Sequence, residues 1–416
     1  MNFGIVSLIA LFIVIAVAFV KKMNAGVLAM AIAMCLGYMT SMYTKSEILK
    51  GYSGSLFITL FGLTMFFGIL NDNGCLNLIM KKLINLFGKA IWLAPILIFF
   101  GAWAVSSIAG GFAGMAFACG ITMSIVHATG YNPIMMMIIS NAGAQAGRYT
   151  RISPDGNIVT DLLAQQGISG GLFPLTVHMT TAMIIISLVA FIYFKGYKVK
   201  GHGGLHLETE KLSFKQIEAL IVFLVVIFLI IGLGKDSGFM GVIGSVVLVL
   251  LNVTDTKNSF KVIPWNTIMM VTGVGMLMHI VIASGGIDVL TSIIAGFTTP
   301  FTVGAVSCMT ASIMSWFSST LGVVVPTLTP TVSTLAEQVG GTATPIGILS
   351  CMLIGSSSAC FSPASSVGGL ILATVVGDEV FKDKVDENKT FVLLFLFSIC
   401  MAILSSLLSL TGIYSI

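Results

Sequence analysis

The sequence predicts an all-α polytopic membrane protein, an inverted repeat of five crossings each, with a re-entrant hairpin and a broken helix per repeat. Three observations predict it. Hydrophobic residues make up 56% of the chain and charged residues 9%, with a mean hydropathy of +1.04. A soluble domain cannot bury that much apolar surface. Apolar segments of bilayer length alternate with apolar segments interrupted by Gly, Ser, Thr and Pro, the pattern of backbone that breaks at membrane depth. Landmarks also recur after a shift of 212 residues: Gly74 falls on Gly286, Ser106-Ser107 on Ser318-Ser319 and Pro133 on Pro345. After a three-residue slip, Ser153-Pro154 meets Ser362-Pro363. An odd number of crossings per copy requires the second copy to be inverted.

Full-length spans are expected near 3–20, 24–42, 54–71, 172–194, 214–233, 238–252, 264–283 and 391–413. The first reads as a retained span, not a signal peptide, since no basic n-region or small-residue cleavage site accompanies it. The interrupted regions 90–126, 130–165, 300–335 and 343–376 read as hairpins and discontinuous helices. Gly74–Gly88 and Gly286–Gly296 alternate apolar and polar residues at helical spacing and read as interfacial helices. Lysines orient the whole: Lys21, Lys22, Lys81, Lys82, Lys89, the 195–215 loop, Lys257, Lys261, Lys382, Lys384 and Lys389 can all be cytoplasmic together. Both termini then lie outside an inner (plasma) membrane. Residues 1–195 form the first repeat, 196–213 a cytoplasmic linker and 214–416 the second, inverted repeat.

Several functions are excluded. A net charge of +4 over 416 residues, with lysines confined to short loops, gives no nucleic-acid surface. The chain has no Ser-His-Asp arrangement, His-Glu-x-x-His, Walker loop or Rossmann glycine pattern, so neither an enzyme nor an ATP-driven pump is supported, and no cofactor is expected. The seven cysteines lie in or beside apolar segments without metal-ligand spacing.

The chemistry concentrates between Ser140 and Val159. No Asp, Glu, Lys or Arg occurs from Ala90 to Gly147; Arg148, Arg151 and Asp155 then follow in this stretch, and Arg148 and Arg151 are the only two arginines beside 18 lysines. A mid-membrane Arg costs roughly 2.5–3.5 kcal/mol on insertion scales. It grips a carboxylate with two parallel hydrogen bonds, which Lys cannot. One Arg can therefore meet an anionic substrate while the other pairs with Asp155 or Asp161. Two alternatives stay open: the stretch loops out to water, or the arginines only neutralise those aspartates. Asp155 is also a candidate ligand for a coupling cation. Hairpin tips at Ser106-Ser107-Ile108-Ala109-Gly110-Gly111 and Ser318-Ser319-Thr320-Leu321-Gly322 free carbonyls for a cation and present helix N-termini to a carboxylate. Candidate substrate-binding residues are thus Ser106, Ser107, Asn141, Arg148, Arg151, Ser318, Ser319, Thr320 and Ser362. Candidate cation-binding residues are Ser107, Gly110, Asn141, Gly143, Asp155, Ser319 and Ser357, with Na+ at the hairpin tips.

These paired elements resemble the ion transporter superfamily, in particular divalent-anion/sodium symporters and the nearby malonate or C4-dicarboxylate carriers. Ser106-Ser107-Ile108 and Ser318-Ser319-Thr320 stand where that family has Ser-Asn-Thr tips. Ser153-Pro154-Asp155-Gly156-Asn157 and Ser362-Pro363-Ala364-Ser365 resemble its Pro-Pro-Asn breaks. Serine replaces both tip asparagines, so the resemblance leaves sodium and proton coupling as alternatives. It also implies a homodimer whose transport domain moves as an elevator. The function expected is cation-coupled import of a small carboxylate, a dicarboxylate such as malonate or a C4 acid. The alternative is a sodium/proton antiporter using Asp155 and Asp161.

Overall fold

The computed structural model describes residues 3–21, 23–40, 43–75, 78, 82, 85, 91–199, 211–317, 319–363, 365–376, 378, 380–381 and 385–414. Every regular element among them is helical. The first half contains α1 (Phe3–Lys21), α2 (Ala25–Thr40), α3 (Lys45–Lys50), α4 (Gly54–Asp72), α5 (Ala94–Ala109), α6 (Gly111–Thr129), α7 (Pro133–Gly147), α8 (Pro154–Ala164) and α9 (Leu172–Tyr193). The second contains α10 (Phe214–Ile231), α11 (Ser237–Leu250), α12 (Thr256–Lys261), α13 (Trp265–Ala283), α14 (Gly286–Ala295) and α15 (Val303–Phe317). A π-helical turn, Thr320–Val324, leads through α16 (Val325–Leu328) to α17 (Val332–Val339), and α18 (Pro345–Ala359), α19 (Ser366–Val376) and α20 (Glu387–Ser409) complete the chain. Most of the interfacial helix expected over Gly74–Gly88, residues 200–210 of the linker, and Ser318 lie outside the described residues.

Matching elements occur in the two halves. α7 starts at Pro133 behind an Asn132 cap, and α18 starts at Pro345 behind a Thr344 cap. In both, a side-chain oxygen takes a free N–H while proline supplies the first helical residue, which needs no donor. α3 and α12 are six-residue helices at matching places. They follow α2 and α11, which at 16 and 14 residues fall short of a full span. Among the described residues three helices are long and apolar enough to cross a bilayer: Ile91–Ala109, Leu172–Tyr193 and Glu387–Ser409. The second interfacial helix begins at Gly286 as expected. It bends by 81° from the helix before it, through Gly285 at φ 79°, a backbone angle open mainly to glycine.

Glycines set the close helix crossings. A Cβ on Gly143 would strike the Phe99 carbonyl of α5, and one on Gly355 would strike the Cys308 carbonyl of α15. Thus α7 lies on α5 as α18 lies on α15, with backbones in direct contact. The halves also trade partners: Gly26 of α2 meets Gly273 of α13, and Gly241 of α11 meets Gly62 of α4. Each half is held by helices of the other.

One register differs from the sequence reading. Ser153 caps α8, donating to the carbonyls of Arg148 and Thr150 (3.1 Å for the latter) and accepting from the Gly156 N–H at 3.0 Å. Its structural counterpart is Ser365, which donates to the carbonyls of Cys360 and Ser362 (2.8 Å for the latter) and accepts from the Gly368 N–H at 3.2 Å. Ser153 therefore matches Ser365 without any slip, and Pro363 is not the equivalent of Pro154. Shared cap geometry, rather than the Ser-Pro dipeptide, carries the symmetry. Replacing Ser153 or Ser365 with Ala is expected to cost about 1 kcal/mol each. The check is the thermal midpoint of the purified protein, which should fall by roughly 1–4 °C and similarly in both variants.

Candidate functional site

The α7–α8 break builds the charged part of the site. α7 stops at Gly147, Arg148 caps its end, and Asp155 sits in the first turn of α8. Ser153 closes the intervening turn, so both charged side chains return to the same place. Arg148 is 4% exposed and Asp155 5%. Arg148 Nε donates to Asp155 Oδ2 at 2.7 Å, and Arg148 Nη1 donates to Gln145 Oε1 at 2.5 Å. The guanidinium carbon stands 5.4 Å from the centre of the Tyr149 ring, a cation–π distance. Nη2 makes no hydrogen bond among the described residues. Asp155 Oδ2 accepts a further bond from the Gly111 N–H at 2.9 Å, at the first residue of α6. The carboxylate is thus held by a cation and by the positive end of a helix.

Gly110 makes this approach geometrically available. It links α5 to α6 as a single residue at φ 82° and ψ 169°, where a side chain is strongly disfavoured. A Cβ on Gly111 would come within 2.6 Å of Arg148 Nε and 2.7 Å of Asp155 Oδ2. The tip is shaped to admit the ion pair.

The second half contributes hydroxyls, a thiol and one charged residue, Lys261. Ser319 caps the π-helical turn, accepting from the Gly322 N–H at 3.2 Å. Pro326 and Pro330 deny the following helix two donors, and it runs on as short α, 3-10 and α pieces. Ser315, Thr320 and Ser356 form a buried triangle, with oxygens 3.1 Å, 2.8 Å and 3.0 Å apart. At the end of α18, Cys360 occupies the position that Arg148 occupies on α7. Gln145 Nε2 donates to Cys360 Sγ at 2.9 Å, and Ser357 Oγ donates to Gln145 Oε1 at 3.4 Å. The tails of α7 and α18 meet there.

These groups surround a cavity of about 550 Å³. Gly110, Gln145, Arg148 and Asp155 line it together with Ser315, Ser319, Thr320 and Cys360, and Thr64, Asp72, Lys261 and Asn266 belong to the same lining. A second cavity of about 410 Å³ is lined by Lys50, Ser53, Gln165, Thr272 and His279. α4 borders the first cavity through Leu60, Thr64, Gly68 and Asp72, and Gly51 and Ser53, just before its first residue, line the second. α13 borders the first through Asn266 to Met270 and the second through Val271 to Ile282. Equivalent helices therefore run in opposite senses between the two cavities. Ile158 lines both.

Among the residues singled out from sequence, Arg148, Ser319, Thr320, Gly110 and Asp155 come together on the cavity wall. Ser357 reaches it through Gln145. Arg151 is exposed and apart from this cavity. Ser106 is buried against Gly114, and the Ser107 hydroxyl returns to the Trp103 carbonyl at 2.7 Å. Asn141 lies deeper in α7, donating to the Met137 carbonyl at 2.9 Å and Cys119 Sγ at 3.6 Å. Gly143 serves the α5 crossing, and Ser362 lies in the turn before α19. Sequence reading missed Gln145, Ser315 and Cys360. The signal for Gln145 was its place three residues before Arg148, on the same helical face.

Comparison with known proteins agrees with this architecture. No curated protein matches the chain. Among solved structures, the YdaH transporter of Alcanivorax borkumensis superposes with a TM-score of 0.60 at 11% identity, covering 90% of this chain and 88% of that one. MtrF of Neisseria gonorrhoeae, described as illuminating a class of antimetabolite efflux pumps, does so with a TM-score of 0.60 at 14% identity, covering 92% and 84%. At such identities the likeness establishes the fold. Residues 9–355 match the family described as CitMHS: Citrate transporter, and the chain is therefore a membrane-embedded secondary transporter of the CitMHS citrate transporter family.

Proposed function

We propose that this protein imports a small carboxylate bearing two or three carboxyl groups, from a malonate-like or C4 diacid to citrate, driven by a cation gradient. The observation that carries this reading is Arg148, a buried guanidinium on a cavity wall, fixed through Nε and Nη1 with Nη2 uncommitted among the described residues. A carboxylate of the cargo takes Nη2, and the hydroxyls of Ser319 and Thr320 receive the other end of the molecule. The family description, which names citrate, supports the same class of ligand.

Charge balance supports coupling to cations. The cavity lining carries two cations, Arg148 and Lys261, and two carboxylates, Asp72 and Asp155, so the site has no net positive charge with which to hold a polyanion in low dielectric. Na+ or H+ entering with the cargo supplies it. The two cavities at opposite ends of α4 and α13 support alternating access, with Ile158 as the wall between them. The working unit in this reading is a homodimer in the plasma membrane.

Counterflow uptake in proteoliposomes tests the proposal, using malonate, a C4 diacid, citrate and a monocarboxylate, with and without sodium and with an imposed pH gradient. Di- or tricarboxylate uptake that the monocarboxylate does not compete with is the expected result. Sodium/proton exchange without carboxylate movement would instead assign Asp155 to antiport and remove the carboxylate reading.

A further inference from the structure

Gln145 is the side chain that joins the Arg148–Asp155 pair to the Cys360 end of α18. Its Oε1 accepts from Arg148 Nη1 at 2.5 Å, and its Nε2 donates to Cys360 Sγ at 2.9 Å. Ser357 Oγ, on the same helix as Cys360, donates to the same Oε1 at 3.4 Å. Cys360 Sγ closes the chain by donating to the Ser357 carbonyl at 2.8 Å. Gln145 and Ser357 are equivalent residues of the two repeats, as are Arg148 and Cys360. The two pairs therefore meet where the repeats cross, at the cavity wall.

We propose that Gln145 is the positioning residue that aims Arg148 at the cargo and makes that aim depend on the contact between the repeats. The physical reason is the number of anchors. A guanidinium held only at Nε by Asp155 can pivot about that bond. A second anchor at Nη1 fixes the plane and leaves Nη2 pointing where a carboxylate can take it. Because Gln145 is gripped from α18 as well, withdrawal of α18 loosens the second anchor. Arg148 then keeps its charge and its partner Asp155 but loses its orientation. Cargo affinity falls whenever the tails of α7 and α18 separate, which ties release to the movement of one repeat against the other.

This inference rests on the carboxylate reading, and its test separates the two. Arg148 and Arg151 are the only arginines in the chain, so protein carrying guanidino-¹⁵N arginine in nanodiscs gives two side-chain systems, one buried and one exposed. In the wild type the Arg148 Nη signals should be resolved, because two anchors hinder rotation. In Gln145→Leu they should average while Arg151 is unchanged, and affinity for citrate or malonate, whichever the wild type binds, should fall at least tenfold. Transport should show that loss in KM, with Vmax within threefold. Gln145→Glu keeps the acceptor oxygen and should keep the resolved Arg148 signals, and Ser357→Ala should give a smaller affinity loss of about threefold. Resolved Arg148 signals in Gln145→Leu, or unchanged cargo affinity, would overturn the proposal. If the wild type binds neither acid yet Gln145→Leu still averages the Arg148 signals, the anchoring stands and the carboxylate reading falls. Should Gln145→Leu fail to fold, Ser357→Ala decides, since an affinity equal to the wild type's contradicts the cross-repeat link.

Discussion

Replacing Arg148 with Gln should abolish carboxylate uptake, by at least a hundredfold, while the same change at Arg151 leaves uptake within twofold of the wild type. The difference follows from placement. Arg148 lines the cavity and is buried with Asp155, whereas Arg151 is exposed and lines no part of it. Arg148→Gln should also destabilise the fold, since removing one partner of a buried pair leaves an uncompensated charge at a cost of about 3–5 kcal/mol. The companion variant separates the two effects. Arg148→Gln with Asp155→Asn removes both charges, and its thermal midpoint should recover most of the loss. Uptake should not recover. Recovery of both together would make the pair a structural element and leave the cargo without a cation.

Gly111→Ala should lower uptake by more than tenfold, although it adds only a methyl group. That methyl would meet Arg148 Nε and Asp155 Oδ2 at 2.6 and 2.7 Å, inside van der Waals contact, so the pair or the hairpin tip must shift. The Gly111 N–H bond to Asp155 would be strained at the same time. A one-ångström displacement of a binding group is enough for a large kinetic loss. Gly130→Ala is the control. Gly130 caps the other end of α6, at φ 74°, but a Cβ there meets nothing within 4 Å. It should cost about 1 kcal/mol of stability for the backbone angle and leave uptake near normal. Equal transport losses in the two variants would mean that the tip's position does not matter to the site.

Much of this architecture was legible in the residues alone. Apolar runs of bilayer length locate α1, α4, α9, α13 and α20 within a few residues, because hydrocarbon imposes a single requirement on composition. Gly110 and the Arg148-to-Ser153 break were marked by residues that cannot continue a helix. What stayed hidden depends on contacts between distant segments. Asn141 has the right chemistry for a ligand, but the helical turn that carries it faces Cys119. Arg151 differs from Arg148 by three positions, and only the Ser153 cap decides which of them turns inward. Ser315 and Cys360 look like small packing residues until α15 and α18 bring them to the cavity. Gly143 has the small-residue signature of a cation ligand, and a glycine that lets two backbones touch has the same one. The Ser153–Ser365 match was obscured by a coincidental Ser-Pro three residues earlier.

Carboxylate transport by this site requires an anion to enter the space between the α7–α8 break and the hydroxyls of the second hairpin. An experimental structure with malonate or citrate bound measures this directly. A carboxylate within hydrogen-bond distance of Arg148 Nη2, with the opposite end of the molecule against Ser319 or Thr320, is the predicted result. Cargo density elsewhere, with Arg148 contacting only Asp155 and Gln145, would contradict it.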